Sequence, residues 1–271
     1  MTPFTVSTVC FRRYPLEQAL DTAARLGFDR VDLVGLRGLC EHVPVNGTLS
    51  EMRRAARQFA ASRLQAASVN ADPGSFDGAD DIEQVMARVR RLLAFCQEAG
   101  VPLLVLPCGE KREDASAPPR YAAMADALNE VAVMAWHEGI RLAVEAPYFG
   151  RPVDTIGRTE TLLELLDPDV DLAFDVSHVV GAGESVTDAW AAIHERIAII
   201  HLRDAVAGDI RRVIGHGDVD FPALLQAAQV SGFDGDVVLE LETRNSPYQS
   251  KEDEVRAALA QLGPVHAPSV I

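Results

Sequence analysis

One phrase recurs along this chain: an amphipathic helical stretch, then a glycine, then a short apolar run rich in β-branched residues. It is written first in Leu16, Ala19, Leu20, Ala23, Ala24 and Leu26 at helical spacing, followed by Gly27 and Val31-Asp32-Leu33-Val34. It returns in 92–99 with Gly100 and 101–106, in 134–138 with Gly139 and 141–144, and in 224–230 with Gly232 and 237–239. The glycine stands where a helix ends in a left-handed residue, and the apolar run after it reads as a buried strand. Strands separated by helices suit a parallel sheet, so this phrase constrains the fold more than composition does.

The intervals fill in the same way. Thr48 with Glu51 forms a capping box for a helix to about residue 63, after which 64–70 reads as a strand. Segments 80–99 and 117–138 have helical periodicity, as do 185–196 and 251–262. Thr159 is the expected cap of a helix that turns Leu162, Leu163, Leu165 and Leu166 inward and stops at Pro168. Strands are expected near 4–9, 30–34, 64–70, 102–108, 141–146, 171–176, 197–203 and 236–242, with onsets roughly every 25–40 residues, the period of a βα unit. Eight such units predict an α/β chain of the (β/α)8 TIM barrel class, one domain over 1–271 with 263–271 as an extended tail. An open doubly wound sheet fits less well, because no Gly-x-Gly-x-x-Gly follows the first strand.

Four of these strands end alike. The run 172–174 stops at Asp175, 141–144 at Glu145, 197–200 at His201 and 237–239 at Glu240. A carboxylate at the end of a buried strand costs on the order of several kcal/mol unless it is paired or holds a metal. Parallel strands in a barrel bring these ends to one rim, so two glutamates, an aspartate and a histidine are expected to converge on a site for a hard or borderline divalent cation. Glu242 shares a face with Glu240 by the period of two and competes for the same role; Glu240 is preferred because it directly ends the apolar run.

Other residues near the rim read less sharply. His178 is expected in a loop just above the cluster, as a substrate contact, a ligand to a second ion or a plain surface histidine. Arg203 shares the inward face with His201 and either fixes a substrate hydroxyl, carboxylate or phosphate or bridges a nearby acid. In the 215–221 loop the glycines suit a tight approach to the site, Asp220 reads as the cap of the next helix, and His216 as a loop position. His42, His137, His194 and His266 read as surface or helix-packing residues.

The balance of 25 Lys and Arg against 40 Asp and Glu, a net charge of −15, argues against nucleic acid as a partner. Cys10, Cys40, Cys96 and Cys108 show no Cys-x-x-Cys spacing, which argues against a zinc knuckle or a disulfide framework. No stretch has the length of a membrane span and 1–15 lacks a signal-peptide core, so a cytoplasmic protein with no membrane partner is expected. A homo-oligomer remains compatible with these features.

The segments 15–20 and 26–33, Phe174-Asp175-Val176-Ser177-His178, His201-Leu202-Arg203-Asp204, the 215–221 loop and Gly232-Phe233-Asp234-Gly235 leading into Glu240 together resemble the xylose-isomerase-like barrel superfamily. The similarity extends in particular to sugar isomerases and epimerases related to ketose 3-epimerases, hydroxypyruvate isomerase and inosose dehydratases. The resemblance implies one divalent metal (Mn, Mg, Co or Zn) on Glu145, Asp175, His201 and Glu240. It also implies Glu145 and Glu240 as the acid/base pair, with His178 and Arg203 orienting a sugar or polyol. The expected chemistry is isomerisation or epimerisation through a metal-stabilised cis-enediolate, with dehydration of a keto-polyol, inosose- or dehydroshikimate-type, as the nearer alternative. Three-zinc abasic-site endonucleases of the same barrel carry histidines where this chain has Val69-Asn70-Ala71 and Leu106-Pro107-Cys108, and an Asp-x-His where it has Gly215-His216-Gly217. A non-catalytic sugar-binding barrel has no need of a matched glutamate pair.

Overall fold

Each expected apolar run becomes a strand in the computed structural model, which describes residues 4–109 and 120–263. The strands are β1 (Thr5–Ser7), β2 (Arg30–Leu36), β3 (Gln65–Ala71), β4 (Leu103–Pro107), β5 (Arg141–Glu145), β6 (Asp171–Asp175), β7 (Ile197–Leu202) and β8 (Asp236–Leu239). Every strand pairs in parallel with the next, and β8 pairs with β1 through Thr5 opposite Val238, so the sheet closes into a (β/α)8 barrel.

Helices Leu16–Arg25, Leu49–Ala60, Ile82–Ala99, Tyr121–His137, Ile156–Leu163, Val186–Ile193, Phe221–Val230 and Lys251–Leu262 return the chain between strands. The Thr48–Glu51 capping box is formed in both directions, and Asp220 Oδ1 accepts the Ala223 N–H at 3.0 Å. Gly100 ends its helix at φ +68°, as the recurring phrase requires. Among the described residues no helix is long and apolar enough to cross a membrane. Residues 264–271 of the expected 263–271 tail, with His266, and 117–119 of the expected 117–138 helix lie outside the described residues.

The core divides into two layers. Between sheet and helices lies a large apolar cluster that includes Phe11, Leu33, Phe95, Leu128 and Phe174. Inside the barrel a smaller cluster of Leu103, Val105, Ala143, Ala173, Ala198, Ile199 and Val238 fills the axis.

Two local expectations are corrected and one element is added. Thr155, not Thr159, caps the helix after β5: its hydroxyl accepts the Arg158 N–H, while Thr159 Oγ1 donates to the Thr155 carbonyl from inside the first turn. Between β7 and the 215–221 loop, where the sequence assigns no element, Asp204–Val206 and Asp209–Arg212 pair as an antiparallel hairpin. His42 is buried, with Nε2 2.8 Å from the Tyr14 carbonyl, and is neither on the surface nor on a helix.

Candidate functional site

The barrel's inner period of two builds the site. Ala143, Ala173, Ile199 and Val238 point inward in the apolar layer, and the residue two positions further on each strand line is Glu145, Asp175, His201 or Glu240. One ligating atom from each of these four lies within 4.8 Å of the others, and all four side chains are buried. The competition between Glu240 and Glu242 resolves in the geometry: Glu240 enters this cluster, while Glu242 Oε1 takes an ion pair from Arg203 Nη1 at 3.1 Å.

Two observations bear on whether the cluster suits a cation. His201 Nδ1 and Glu240 Oε2 face each other at 3.0 Å as an ion pair with no other partner, and His201 Nε2 has no partner at all among the described residues. Buried polar atoms left unpaired in this way are costly unless something else binds them. The second is the field. Burial opposes a charge on His201, but Glu240 beside it, with Asp32 and Glu145, outweighs burial and holds the imidazole pKa up at about 10. The same negative field attracts a divalent cation, and three carboxylate oxygens with one imidazole nitrogen could hold a metal of the hard-to-borderline kind.

Arg203 tempers that field. Its Nη2 makes a close ion pair with Asp175 Oδ2, and its Nε donates to Ser177 Oγ at 2.9 Å. Burial raises the Asp175 pKa, but Arg203, His178 and His201 more than reverse this and hold it down at about 2.

His178 is not in a loop. Asp175 Oδ1 accepts the Ser177 N–H at 2.8 Å and so caps a short helix, Val176–Gly181, that carries His178. Its Nε2 lies 3.2 Å from Arg203 Nη2, 3.5 Å from Glu145 and 3.6 Å from Asp175, and the Tyr148 ring covers it at 4.0 Å. His178 therefore packs against the cluster, wholly buried, and Tyr148 stands between it and the barrel mouth.

Three contributors escaped the sequence. Asp32 on β2 is wholly buried and takes hydroxyl hydrogens from Ser7 at 2.8 Å and Ser68 at 2.7 Å. Burial pushes its pKa up to about 7, against the lowering effect of His201 and the serines. The alternation of Asp32 with Val31 and Leu33 on a strand was its only signal. Tyr148 follows β5 closely and had none.

Asp204 is the third. Its carboxylate accepts N–H groups from Gly215 at 2.8 Å, His216 at 3.1 Å, Gly217 at 2.9 Å, Val219 at 3.3 Å and its own neighbour Ala205 at 2.9 Å. A Cβ on Gly217 would collide with Asp204 Oδ1 and the Ala205 carbonyl. The tight approach expected of this loop is thus to Asp204 and not to the cluster, and His216 points to solvent. Asp204→Ala strands these donors and is expected to cost about 2–4 kcal/mol, read as a lower urea midpoint at unchanged slope. A midpoint within error of the parent would remove this role from Asp204.

The four cysteines are buried and unpaired. Burial pushes the thiols of Cys10, Cys40 and Cys108 up to about 12, so at neutral pH they are neither nucleophiles nor thiolate ligands.

The rim of the barrel opens into a cavity of about 480 Å³. Arg203 and Glu242 lie in its floor and Tyr148 in its wall, so the cavity and the cluster meet at Arg203.

A family model described as a xylose isomerase-like TIM barrel matches residues 20–263. An inosose dehydratase of Lacticaseibacillus casei is 30% identical over 114 residues, 35% of this chain and 38% of that protein. The chain thus spans well under half the length of the curated relative it matches. A zinc-bound IolI protein superposes with a TM-score of 0.77 at 18% identity, covering 95% of both chains. A D-psicose 3-epimerase structure determined in the presence of D-fructose gives 0.73 at 16% identity, over 96% of this chain and 97% of that one.

Proposed function

Because the chain belongs to the xylose isomerase-like TIM barrel family, we propose that it is a divalent-metal-dependent enzyme that moves a proton beside the carbonyl of a sugar-like substrate, as an isomerase or epimerase. The observation that carries this reading is the buried cluster of Glu145, Asp175, His201 and Glu240, two of whose members are carboxylates suited to proton transfer. These four residues would hold one ion, with Mn, Mg, Co and Zn all matching the donor set. When bound, the ion supplies Lewis acidity to a carbonyl and the hydroxyl beside it, lowering the pKa of the intervening C–H.

The protein's own groups do the rest. Glu145 comes from β5 and Glu240 from β8, with β6 and β7 between them, so the two carboxylates reach a substrate over the cluster from different sides. One takes the proton, leaving an enediolate, and either returns it. Return to the opposite face of the same carbon inverts it, whereas return to the neighbouring carbon exchanges aldose and ketose. Asp175, held ionised by Arg203, keeps its charge throughout. Arg203 lies in the cavity floor and is the donor placed to orient a substrate oxygen, with His178 fixing it from behind.

A dehydratase is the second reading, supported by the inosose dehydratase match. Loss of a β-hydroxyl from the same enediolate needs the same groups, with one glutamate acting as the acid on the departing oxygen.

The test is solvent exchange. Metal-loaded protein in D2O is expected to place deuterium beside the carbonyl in one member of a panel of ketoses, hydroxy-aldehydes and inososes. About one ion per chain is expected by elemental analysis. A product lighter by one water selects the dehydratase, and no label anywhere in the panel overturns proton transfer.

A further inference from the structure

The cavity above the cluster has a charge that neither the net balance nor the proposed chemistry explains. In a chain of net charge −15, its lining includes Arg37, Arg151, Arg203, Arg211 and Arg244. They come from the ends or following loops of β2, β5, β7 and β8, so only the closed barrel gathers them.

The counter-charges do not match. Arg203 is taken up by Asp175 and Glu242. Arg37 and Arg151 share one carboxylate, Asp72, at 3.7 and 3.4 Å. Asp209, the other acid of the lining, pairs with Arg212 at 3.0 Å. Among the described residues, the guanidinium groups of Arg211 and Arg244 have neither an ion pair nor a hydrogen bond. The two residues are joined through their backbones, the Arg244 N–H donating to the Arg211 carbonyl at 3.2 Å, and both side chains line the same cavity.

Two cations lining one cavity with no ion pair among the described residues leave a positive charge there that a ligand can neutralise. Arg151 is the rigid member of the group. Its guanidinium lies 4.7 Å over the Tyr148 ring, and Nη1 donates to the Gly109 carbonyl at 2.7 Å. A planar, fixed guanidinium in one cavity with two unpaired ones suits a carboxylate or a phosphoryl group, whose oxygens accept from such forks in pairs.

We infer that the substrate carries an anionic group, a carboxylate or a phosphate ester, which Arg211 and Arg244 neutralise and Arg151 orients while its carbonyl end lies over the Glu145–Asp175–His201–Glu240 cluster. This rests on the proton-transfer reading for the carbonyl end, but the anion site stands on the rim arginines alone. A cavity of about 480 Å³ accommodates a polyol of sugar size with such a group.

The experiment compares wild type with the double variant Arg211→Gln/Arg244→Gln, both metal-loaded. Deuterium exchange is measured on keto-polyols in three matched forms: uncharged, carboxylate-bearing and phosphorylated. Binding of inorganic phosphate and of malonate is measured separately by calorimetry, a readout that needs no chemistry.

One anionic form is expected to exceed the uncharged form at least tenfold in kcat/KM. The double variant is expected to reduce that preference about tenfold or more, chiefly through KM. Whether the carboxylate or the phosphorylated form leads identifies the group. Equal exchange of the uncharged form, with no change of preference in the variant, overturns the anion site and leaves proton transfer standing. Arginine-dependent binding of phosphate or malonate without exchange in any form supports the anion site and overturns the proton-transfer reading. Absence of both overturns the two together.

Discussion

Glu240→Gln is expected to keep the fold and lose about a thousandfold in kcat for metal-dependent exchange from D2O. The exchange nearly preserves volume and removes only the capacity to accept a proton and to balance charge. Among the described residues the only partner of Glu240 Oε2 is His201 Nδ1 at 3.0 Å, so the amide gives up that one ion pair and leaves the rest of the packing in place. Its carboxylate is kept ionised against burial by His201 and Arg203, the form that the proposed base requires. Glu145→Gln is expected to fall by a similar factor, and the double variant by much less than the product, since in the proposed reaction both act on one proton. Circular dichroism and metal content measured beside the rates separate chemistry from folding. A Glu240→Gln protein that holds its ion and exchanges at the parental rate would falsify the acid/base pair.

Stripping the ion should cost the protein much of its thermal resistance. Glu145, Asp175 and Glu240 bring three carboxylates into a cluster whose ligating atoms lie within 4.8 Å of one another, with Arg203 as the nearby permanent cation. A ligand present at a thousand times its dissociation constant stabilises a fold by about 4 kcal/mol. For a chain of this length that corresponds to a melting temperature roughly 10 °C higher. Chelation should therefore lower the midpoint by about that much, and readdition of Mn, Co or Zn should restore it. Asp175→Asn should abolish most of the response. A midpoint indifferent to millimolar concentrations of every one of these ions would leave the cluster as a purely structural network.

The barrel and its rim were legible because both are written in local pattern. An apolar run followed by a ligating residue shows where a strand ends, and a period of two says which neighbour shares its face. Thus Glu145, Asp175, His201 and Glu240 could be placed together without coordinates. What the sequence hid was hidden for identifiable reasons. Gly157 in the first turn of the helix after β5 masked its true start, so Thr159 looked like the cap that Thr155 is. Val176 to Val180 is rich in β-branched residues and short, so His178 reads as a loop position, whereas the Asp175 carboxylate caps a short helix there. The hairpin at Asp204–Val206 and Asp209–Arg212 turns on Ala207 and Gly208, with Gly208 at φ +79°, a signal short enough to pass for loop. The rim arginines have no local pattern at all. Arg37, Arg151, Arg211 and Arg244 are far apart in the chain and meet only because four strands end at one rim.

The four buried thiols make the protein its own clock of unfolding. Cys10 and Cys40 are at most 3% exposed and Cys96 and Cys108 not at all, and they sit beneath different parts of the barrel wall. An alkylating reagent meets none of them on the native surface, so each label records an opening event in its own sector. Cys10, whose sulfur lies 3.2 Å from the Leu241 nitrogen, reports on the seam where the last strand meets the first. Cys96, inside the helix Ile82–Ala99, reports on the opposite side of the wall. The order in which mass is added would then say whether the barrel opens at its closing seam or all at once.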